Sequence, residues 1–293
     1  MHQFVSKLEL SITDLCNFRC VFCPHSTTFP NRANHMSLDT INVCIDHLLE
    51  LGRDIPITLA GRGEPTLHPQ FEEVVKTLIS RHGNVKLFTN GARLSRYKHL
   101  IPLFSLVVLD IYDETNNVRS LVDTYSKYPN IQIDDMRIDR AGKYRLSVKA
   151  GKIRHKNTML DVSSRASSVN IEGLTDAYYV RNRKFGDACT RPFTNIFVEW
   201  SGNYAICCED WERTIDFDTV HNISFIEYMS TNANYQNIVS SLLQGKRDKA
   251  PCIGCKYNLA FTHLLTESEF IMMMYNKKKS QALRATMDDS SRI

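Results

Sequence analysis

The chain has 293 residues, of which 43% are hydrophobic and 23% charged, with a formal net charge of +4. This composition is ordinary for a globular protein and allows one large α/β domain with a smaller second one. No run approaches the ~18 apolar residues of a membrane-spanning helix, and the strand pattern that starts near the first residue leads us to expect no secretory signal. We therefore expect a cytoplasmic protein with reduced cysteines. The mild charge does not favour nucleic acid as a partner.

Apolar periodicity in the first half alternates between strand and helix patterns. Period-two positions predict a first strand over Phe4–Ile12, and Ser37 is a helix cap before an apolar face that includes Cys44 and Leu49. Later strands are expected at Ile55–Ala60, Val85–Thr89, Leu106–Ile111 and Ile131–Ile138, with helices near Phe71–His82 and Val118–Tyr128. Strands separated by helices indicate parallel βαβ units. Two segments compete for the next strand, Tyr144–Val148 and Thr158–Val162.

Three cysteines follow the first strand within a short loop, Cys16, Cys20 and Cys23. Three thiolates this close can hold three irons of a 4Fe–4S cluster, which normally takes four Cys ligands. The remaining iron is then open to a substrate or cofactor. The alternative is a zinc site with His25 as the fourth ligand. The spacing favours the cluster, because Cys ligands of zinc usually come as two separated pairs.

The spacing of three residues and then two resembles the cluster motif of the radical S-adenosylmethionine (radical SAM) enzymes. In that family the amino and carboxylate groups of SAM bind the open iron, and the aromatic before the third Cys, here Phe22, packs the adenine. The resemblance implies a partial (β/α)6 barrel related to the TIM barrel. It also implies that a flavodoxin or ferredoxin reduces the cluster, that SAM is cleaved, and that a 5′-deoxyadenosyl radical abstracts a substrate hydrogen atom.

A glycine-rich loop follows the second strand. Gly61-Arg62-Gly63-Glu64-Pro65 resembles the family's Gly-Gly-Glu-Pro motif, in which main-chain and carboxylate groups meet the methionine amino group of SAM. The resemblance makes Gly61, Gly63 and Glu64 candidate cofactor contacts. Arg62 departs from the motif, because it stands where the family usually has Gly.

Two more candidate cofactor contacts lie at later strand ends. Asn90, in Thr89-Asn90-Gly91, follows the third strand, and Asp110 ends the fourth. Barrel enzymes place function at the carboxyl ends of their strands. A plain turn is an equally good explanation for the Asn-Gly pair.

A second Cys constellation lies in the last third of the chain. The hairpin signal Ser201-Gly202-Asn203 turns the chain back, so that four thiolates can converge; they are Cys189, Cys207, Cys252 and Cys255. Four Cys suit either zinc or a cluster. The pattern resembles the auxiliary-cluster domain of the SPASM and twitch subfamilies of radical SAM enzymes, most closely the 2-deoxy-scyllo-inosamine dehydrogenase-like twitch enzymes. That resemblance implies a second 4Fe–4S cluster.

Three further residues are ambiguous. Cys208 is either a substitute for Cys207 or an unligated thiol, since only one of two adjacent strand residues faces a given side. Asp210 completes a Cys-Cys-x-Asp phrase that is common in the subfamily, and Arg165 lies in an Arg-Ala segment found before the auxiliary domain in some members. The resemblance makes both candidate catalytic residues, with a surface position as the alternative for Arg165.

These features predict a radical SAM core at residues 1–182 and an auxiliary-cluster domain at 183–293 that ends in a helix near Glu267–Ala285. The expected function is a two-electron oxidation of a small polyol, sugar or aminocyclitol. The alternatives are a maturase for a ribosomally made peptide and a nucleotide-modifying radical SAM enzyme. A zinc-binding interaction protein is the alternative that is not an enzyme.

Overall fold

The computed structural model describes residues 4–20, 23–26, 28–112, 118–135, 146–149, 152–154 and 189–255. The strands in this part of the chain are β1 (Lys7–Ser11), β2 (Ile57–Leu59), β3 (Val85–Thr89), β4 (Leu106–Ile111), β5 (Ile131–Asp135), β6 (Leu146–Lys149), β7 (Lys152–Arg154), β8 (Asn195–Glu199) and β9 (Tyr204–Ala205). The helices are α1 (Leu38–Glu50), α2 (Phe71–Arg81), α3 (Val118–Tyr125), α4 (Arg191–Thr194), α5 (Phe225–Ser230) and α6 (Ala233–Leu243).

The described strands form one sheet in the order β7-β6-β5-β4-β3-β2-β1-β8-β9. The strands from β1 to β5 run parallel to their neighbours, and β8 runs parallel to β1. The carboxyl ends of these six strands therefore meet at one edge of the sheet. This parallel-dominated sheet with intervening helices confirms the predicted α/β fold and its partial, TIM-like barrel.

The strand after β5 differs from the expected βαβ continuation. β6 overlaps the candidate segment Tyr144–Val148, but it pairs antiparallel to β5, and β7 pairs antiparallel to β6. Only ten residues separate β5 from β6, and a parallel crossover needs a dozen or more. The competing segment Thr158–Val162 lies outside the described residues.

The α1 helix packs its apolar face on the sheet. Its cap is as predicted, because the Ser37 hydroxyl accepts a hydrogen bond from the Thr40 amide at 3.1 Å. Cys44 is fully buried among core residues, also as predicted. The prediction for Leu49 was wrong, since this side chain is 52% exposed. A helix turns by about 100° per residue, which carries Leu49 past the edge of the buried stripe that ends at Leu48.

The last part of the described chain extends the same sheet. β8 pairs with β1 along its whole length, from Lys7 opposite Asn195 to Ser11 opposite Glu199. The segment that follows β9 forms two helices, α5 and α6, because the Asn232 side chain caps a new helix by accepting from the Tyr235 amide. The proposed boundary at 182 and the helix near Glu267–Ala285 fall outside the described residues. None of the helices in the described ranges is long and apolar enough to cross a membrane.

Candidate active site

The N-terminal Cys loop begins where β1 ends. The Cys16 amide donates to Asn31 Oδ1 at 3.0 Å, and Asn31 Nδ2 donates back to the Cys16 carbonyl at 2.7 Å. Inside the loop the Cys23 amide donates to the Cys20 carbonyl at 2.9 Å. Paired contacts from one Asn and a tight turn thus hold the three cysteines at the carboxyl edge of the sheet.

The three thiols are close enough to influence one another electrostatically. The pKa of Cys16 is raised to about 11 and that of Cys20 to about 12, chiefly by burial, and negative charge on neighbouring cysteines contributes to both rises. Three thiolates in such a loop therefore need a positive centre to compensate them. This donor set fits three irons of a cluster. Among the described residues, no three His, Cys, Asp or Glu side chains are placed so that they could hold a single metal ion.

The glycine-rich loop packs directly against the chain that leads into Cys16. A Cβ atom on Gly63 would lie 2.4 Å from the Thr13 carbonyl oxygen, and one on Gly61 would lie 2.7 Å from Ser11 Cβ. Gly61 also has a φ of +112°, which disfavours other residues. The glycines are therefore required by the contact between two backbones at the strand ends, beside the first Cys.

Glu64 is a buried carboxylate with four donors from the chain. Its Oε1 accepts from the Thr66 amide at 3.0 Å, the Thr66 hydroxyl at 2.6 Å and the Thr89 hydroxyl at 2.6 Å. Its Oε2 accepts from the Asn90 amide at 2.7 Å. Burial raises the pKa of Glu64, and these hydrogen bonds oppose that rise. Because a carboxylate oxygen can accept more than one hydrogen bond, Oε2 keeps capacity for a donor such as an ammonium group.

Asn90 connects the end of β3 to the Cys loop. Its Nδ2 donates to Asn17 Oδ1 at 3.0 Å and lies 3.9 Å from Cys16 Sγ. The structure therefore brings together three residues that the sequence analysis singled out separately, Cys16, Glu64 and Asn90. Asp110 lies farther along the same edge, half-buried near the end of β4. Phe22 and Arg165 lie outside the described residues.

His25 has a different role from the one that a zinc site would require. Its Nδ1 lies 2.7 Å from the Phe29 carbonyl oxygen, and its Nε2 contacts the Arg62 carbonyl oxygen. Both ring nitrogens therefore face backbone oxygens. The imidazole connects the Cys loop to the glycine-rich loop, and this geometry gives no support to His25 as a fourth metal ligand.

The second Cys constellation is assembled from distant segments. Charges on Cys189 and Cys255 both act on Cys252, and charges on Cys255 and Cys252 both act on Cys207. Burial raises the pKa of Cys252 to about 12 and that of Cys207 well above its ordinary value. The β8–β9 hairpin and the turn Cys252–Gly254 thus bring four thiols into one environment, a set that fits a fully ligated cluster.

Cys208 contacts different residues from its neighbour Cys207. Its Sγ lies 2.5 Å from Arg191 Nη1, which also pairs with Glu209 Oε1 at 3.0 Å. Burial raises the pKa of Cys208 to about 11, and the Arg191 charge opposes that rise. Charges on Glu9 and Lys7 of β1 act on Cys208, whereas charges on Cys255 and Cys252 act on Cys207. This difference favours Cys207 as the ligand.

A buried group of charges between the two constellations was not foreseen from the sequence. Arg62 Nη2 lies 2.5 Å from Glu199 Oε1, and Arg213 pairs with the other oxygen of Glu199. Asp210 is beside them, 1% exposed, and burial raises its pKa to about 6, while the charge of Arg62 opposes that rise. Two features of the sequence could have indicated this group. Arg62 places a long cationic side chain where the motif has Gly, and Glu199 places an acidic residue at the end of the apolar strand β8.

A cavity of about 240 Å³ opens beside this charged group. Its wall includes the aromatic side chains of Phe29, Trp200 and Trp211 and the guanidinium-bearing side chains of Arg62 and Arg213. It therefore lies between the Cys loop and the segment that follows the β8–β9 hairpin.

Comparison with known families agrees with this geometry. Residues 10–126 match the model of the Radical SAM superfamily, and residues 189–256 match SPASM, an iron–sulfur cluster-binding domain. These matches assign a radical SAM domain and an iron–sulfur cluster-binding domain to the chain. The two matched domains imply two 4Fe–4S clusters and SAM as cofactors.

Curated relatives resemble part of this chain. GTP 3′,8-cyclase of Peptoclostridium acidaminophilum is 33% identical over 117 residues, 39% of this chain and 35% of the relative. GTP 3′,8-cyclase of Mannheimia succiniciproducens is 37% identical over 93 residues, 30% of this chain and 27% of the relative. The chain therefore spans about a third or less of the length of these relatives.

Solved structures resemble a larger part of the chain. BtrN in complex with AdoMet and 2-DOIA superposes with a TM-score of 0.66 and 18% identity, over 87% of this chain and 94% of BtrN. Streptococcus suis SuiB bound to S-adenosylmethionine superposes with a TM-score of 0.50 and 12% identity, over 89% of this chain and 73% of SuiB. At these identities the likeness is one of fold.

Proposed function

We propose that this chain is a radical SAM oxidoreductase that removes a hydrogen atom, and then an electron and a proton, from a small polyol, sugar or aminocyclitol, the proton passing to a base. The observation that carries the proposal is that one sheet supports both a set of three cysteines and a set of four. Three cysteines leave an iron open for SAM, whereas four cysteines make a cluster that can accept an electron but cannot easily bind a substrate.

The proposed ligands follow from the two constellations. The first cluster is held by Cys16, Cys20 and Cys23, and the second by Cys189, Cys207, Cys252 and Cys255. The proposed contacts to SAM are Phe22, Gly61, Gly63, Glu64, Asn90 and Asp110. When bound, SAM and the two clusters would supply a 5′-deoxyadenosyl radical for hydrogen abstraction and an acceptor for the second electron.

The residues around the first constellation have a positioning role in this proposal. Glu64 is oriented by Thr66 and Thr89, so its Oε2 is directed by fixed contacts and can accept from the amino group of SAM. Asn90 stays against Cys16 and Asn17. Pre-positioned groups of this kind lower the cost of ordering the site when the cofactor binds.

The sequence predicts Asp210 and Arg165 as catalytic residues. Asp210 is enclosed, and its backbone carbonyl accepts from Arg62, which supports a place beside the second cluster more than direct contact with a substrate. Arg165 remains a prediction. We also retain as proposals the division into 1–182 and 183–293 and the use of a flavodoxin or ferredoxin as electron donor.

The proposed substrate class rests on fold similarity across both cluster-binding parts. BtrN, which was solved with AdoMet and 2-DOIA, matches this chain over 94% of its own length. The second candidate is a nucleotide, since the curated relatives are GTP 3′,8-cyclases. Their similarity covers at most 39% of this chain, which supports a shared use of SAM more than a shared substrate. A peptide substrate is the third candidate.

Anaerobic reconstitution followed by product analysis tests the proposal. We expect about eight irons per chain, release of 5′-deoxyadenosine under reductant, and a ketone from a small polyol or aminocyclitol. A product found only from GTP would favour the nucleotide candidate, and a mass change found only on a peptide would favour the maturase. Bound zinc without cleavage of SAM would refute the assignment.

A further inference from the structure

Arg62 occupies a position in the glycine-rich loop where the motif that this loop resembles has Gly. Its backbone belongs to the N-terminal site. The Arg62 amide donates to Ser11 Oγ at 3.0 Å, and the Arg62 carbonyl accepts from His25, two residues after Cys23. The main chain of this residue is therefore anchored to β1 and to the first Cys loop.

The side chain of Arg62 belongs to the other site. Its Nη1 donates to the Trp211 carbonyl at 3.0 Å, and its Nη2 donates to the Asp210 carbonyl. The Asp210 amide in turn donates to the Cys207 carbonyl at 3.2 Å. One residue thus links the loop beside the first constellation to the segment that bears Cys207.

The positive charge of Arg62 is buried, and the carboxylate that pairs with it also pairs with a second arginine. The residue is 4% exposed, its ion-pair partner Glu199 is 0% exposed, and Arg213 shares that carboxylate. Two indole rings lie around the guanidinium, with centroids 5.3 Å away at Trp211 and 5.9 Å away at Trp200. A guanidinium stays protonated in such a site. Negative charge on Cys207 and on Asp210 also stabilises it.

We propose that Arg62 is a positioning residue that couples the two cluster sites. It holds the Asp210–Trp211 segment against the glycine-rich loop, and its buried positive charge raises the reduction potential of the C-terminal cluster. The charge and hydrogen bonds around a cluster set its potential. This inference rests on the proposed function, because it takes the second constellation to be a cluster ligand set.

Redox titration of the C-terminal cluster, followed by EPR, tests the inference. The experiment uses the full chain in which Ala replaces Cys16, Cys20 and Cys23, so that only the C-terminal cluster, with about four irons, remains. In this background we expect Arg62→Met to shift the midpoint potential to a more negative value. Arg62→Lys keeps the charge and should restore most of the shift. Glu199→Gln removes the compensating charge and should shift the potential the opposite way.

Lys76→Met is the matched control, because it removes an exposed positive charge on α2 whose side chain is 63% exposed. We expect no shift from it. An unchanged midpoint in a cluster-bearing Arg62→Met variant would overturn the inference. If that variant binds no iron, an unchanged or more negative midpoint in Glu199→Gln would do the same. A parent chain without any C-terminal cluster would instead refute the proposed function.

Discussion

The two Cys constellations are supported by different kinds of contact. The N-terminal set lies within one loop, and its surroundings are held by neutral donors such as Asn31, Thr66 and Thr89. The C-terminal set is gathered from Cys189 to Cys255, and its surroundings are held by ion pairs of Arg62 and Arg213 with Glu199. A short loop can be held by local hydrogen bonds, whereas distant segments are joined here by buried charges that stabilise only as a complete group.

The strongest test of this comparison removes the whole N-terminal set. Replacement of Cys16, Cys20 and Cys23 by Ala should reduce 5′-deoxyadenosine formation to background while about half of the iron remains, the share of one of two equal clusters. Iron analysis and chromatography of the nucleoside measure both quantities. Loss of nearly all iron would mean that the two sites do not assemble independently.

The next largest effect is expected from a comparison of the two adjacent cysteines, Cys207 and Cys208. Cys207→Ala should lose about half of the iron, because charges on Cys252 and Cys255 act on Cys207. Cys208→Ala is the matched control and should keep the iron, since Cys208 contacts Arg191 instead. The comparison is measured by iron content after anaerobic reconstitution. The opposite result would identify Cys208 as the ligand.

The neutral support of the N-terminal site can be weakened by one hydroxyl. Thr89→Val removes a donor to Glu64 and an acceptor for the Gly91 amide. Loss of one hydrogen bond to this buried carboxylate, together with the loss of the Gly91 amide's acceptor, should lower the free energy of unfolding by about 1–3 kcal/mol. Thr124→Val removes an exposed hydroxyl of α3 that contacts the Ser120 carbonyl, and surface changes cost about 0.5 kcal/mol or less.

Denaturant unfolding monitored by circular dichroism compares these two variants. If Thr89→Val cost no more than Thr124→Val, the hydroxyl would not be part of the support. The comparison also predicts that Thr89→Val leaves the midpoint potential of the C-terminal cluster unchanged, because its contacts end at the N-terminal site.

The smallest expected effect concerns pH. His68 is buried, its Nδ1 accepts from the Gln70 amide at 3.1 Å, and its Nε2 lies 2.9 Å from the Met36 carbonyl oxygen. These contacts fit a neutral ring. Burial lowers the pKa of His68, with a further contribution from His35. The unfolded chain therefore binds the proton first, so stability is present above the unfolded pKa near 6.5 and is lost as pH falls below it.

His68→Gln should accordingly flatten the decline of thermal stability between pH 7.5 and pH 5.5 relative to the unsubstituted chain, since about pH 6.5 is where the unfolded imidazole titrates. Parallel thermal scans of the two proteins at each pH measure the difference. Identical slopes would show that His68 does not contribute to the acid sensitivity of the N-terminal region.

Much of the fold and the N-terminal site was predictable because it is encoded over short stretches. Period-two and helical patterns predicted β3 and β4 with their observed bounds, and Ser37 predicted the start of α1. The antiparallel direction of β6 was not predictable from periodicity, because both strand directions produce the same alternation of side chains.

The sequence by itself determined the spacing of the two sets of cysteines and predicted an incomplete ligand count for the first, since spacing within a loop limits where thiols can lie. Only the tertiary structure decided how the sets are connected. The Arg62 guanidinium reaches a carbonyl 149 residues away, and Cys207 and Cys208 face different neighbours. Such contacts depend on the pairing of β8 with β1, and long-range packing of this kind leaves no periodic signal in the chain.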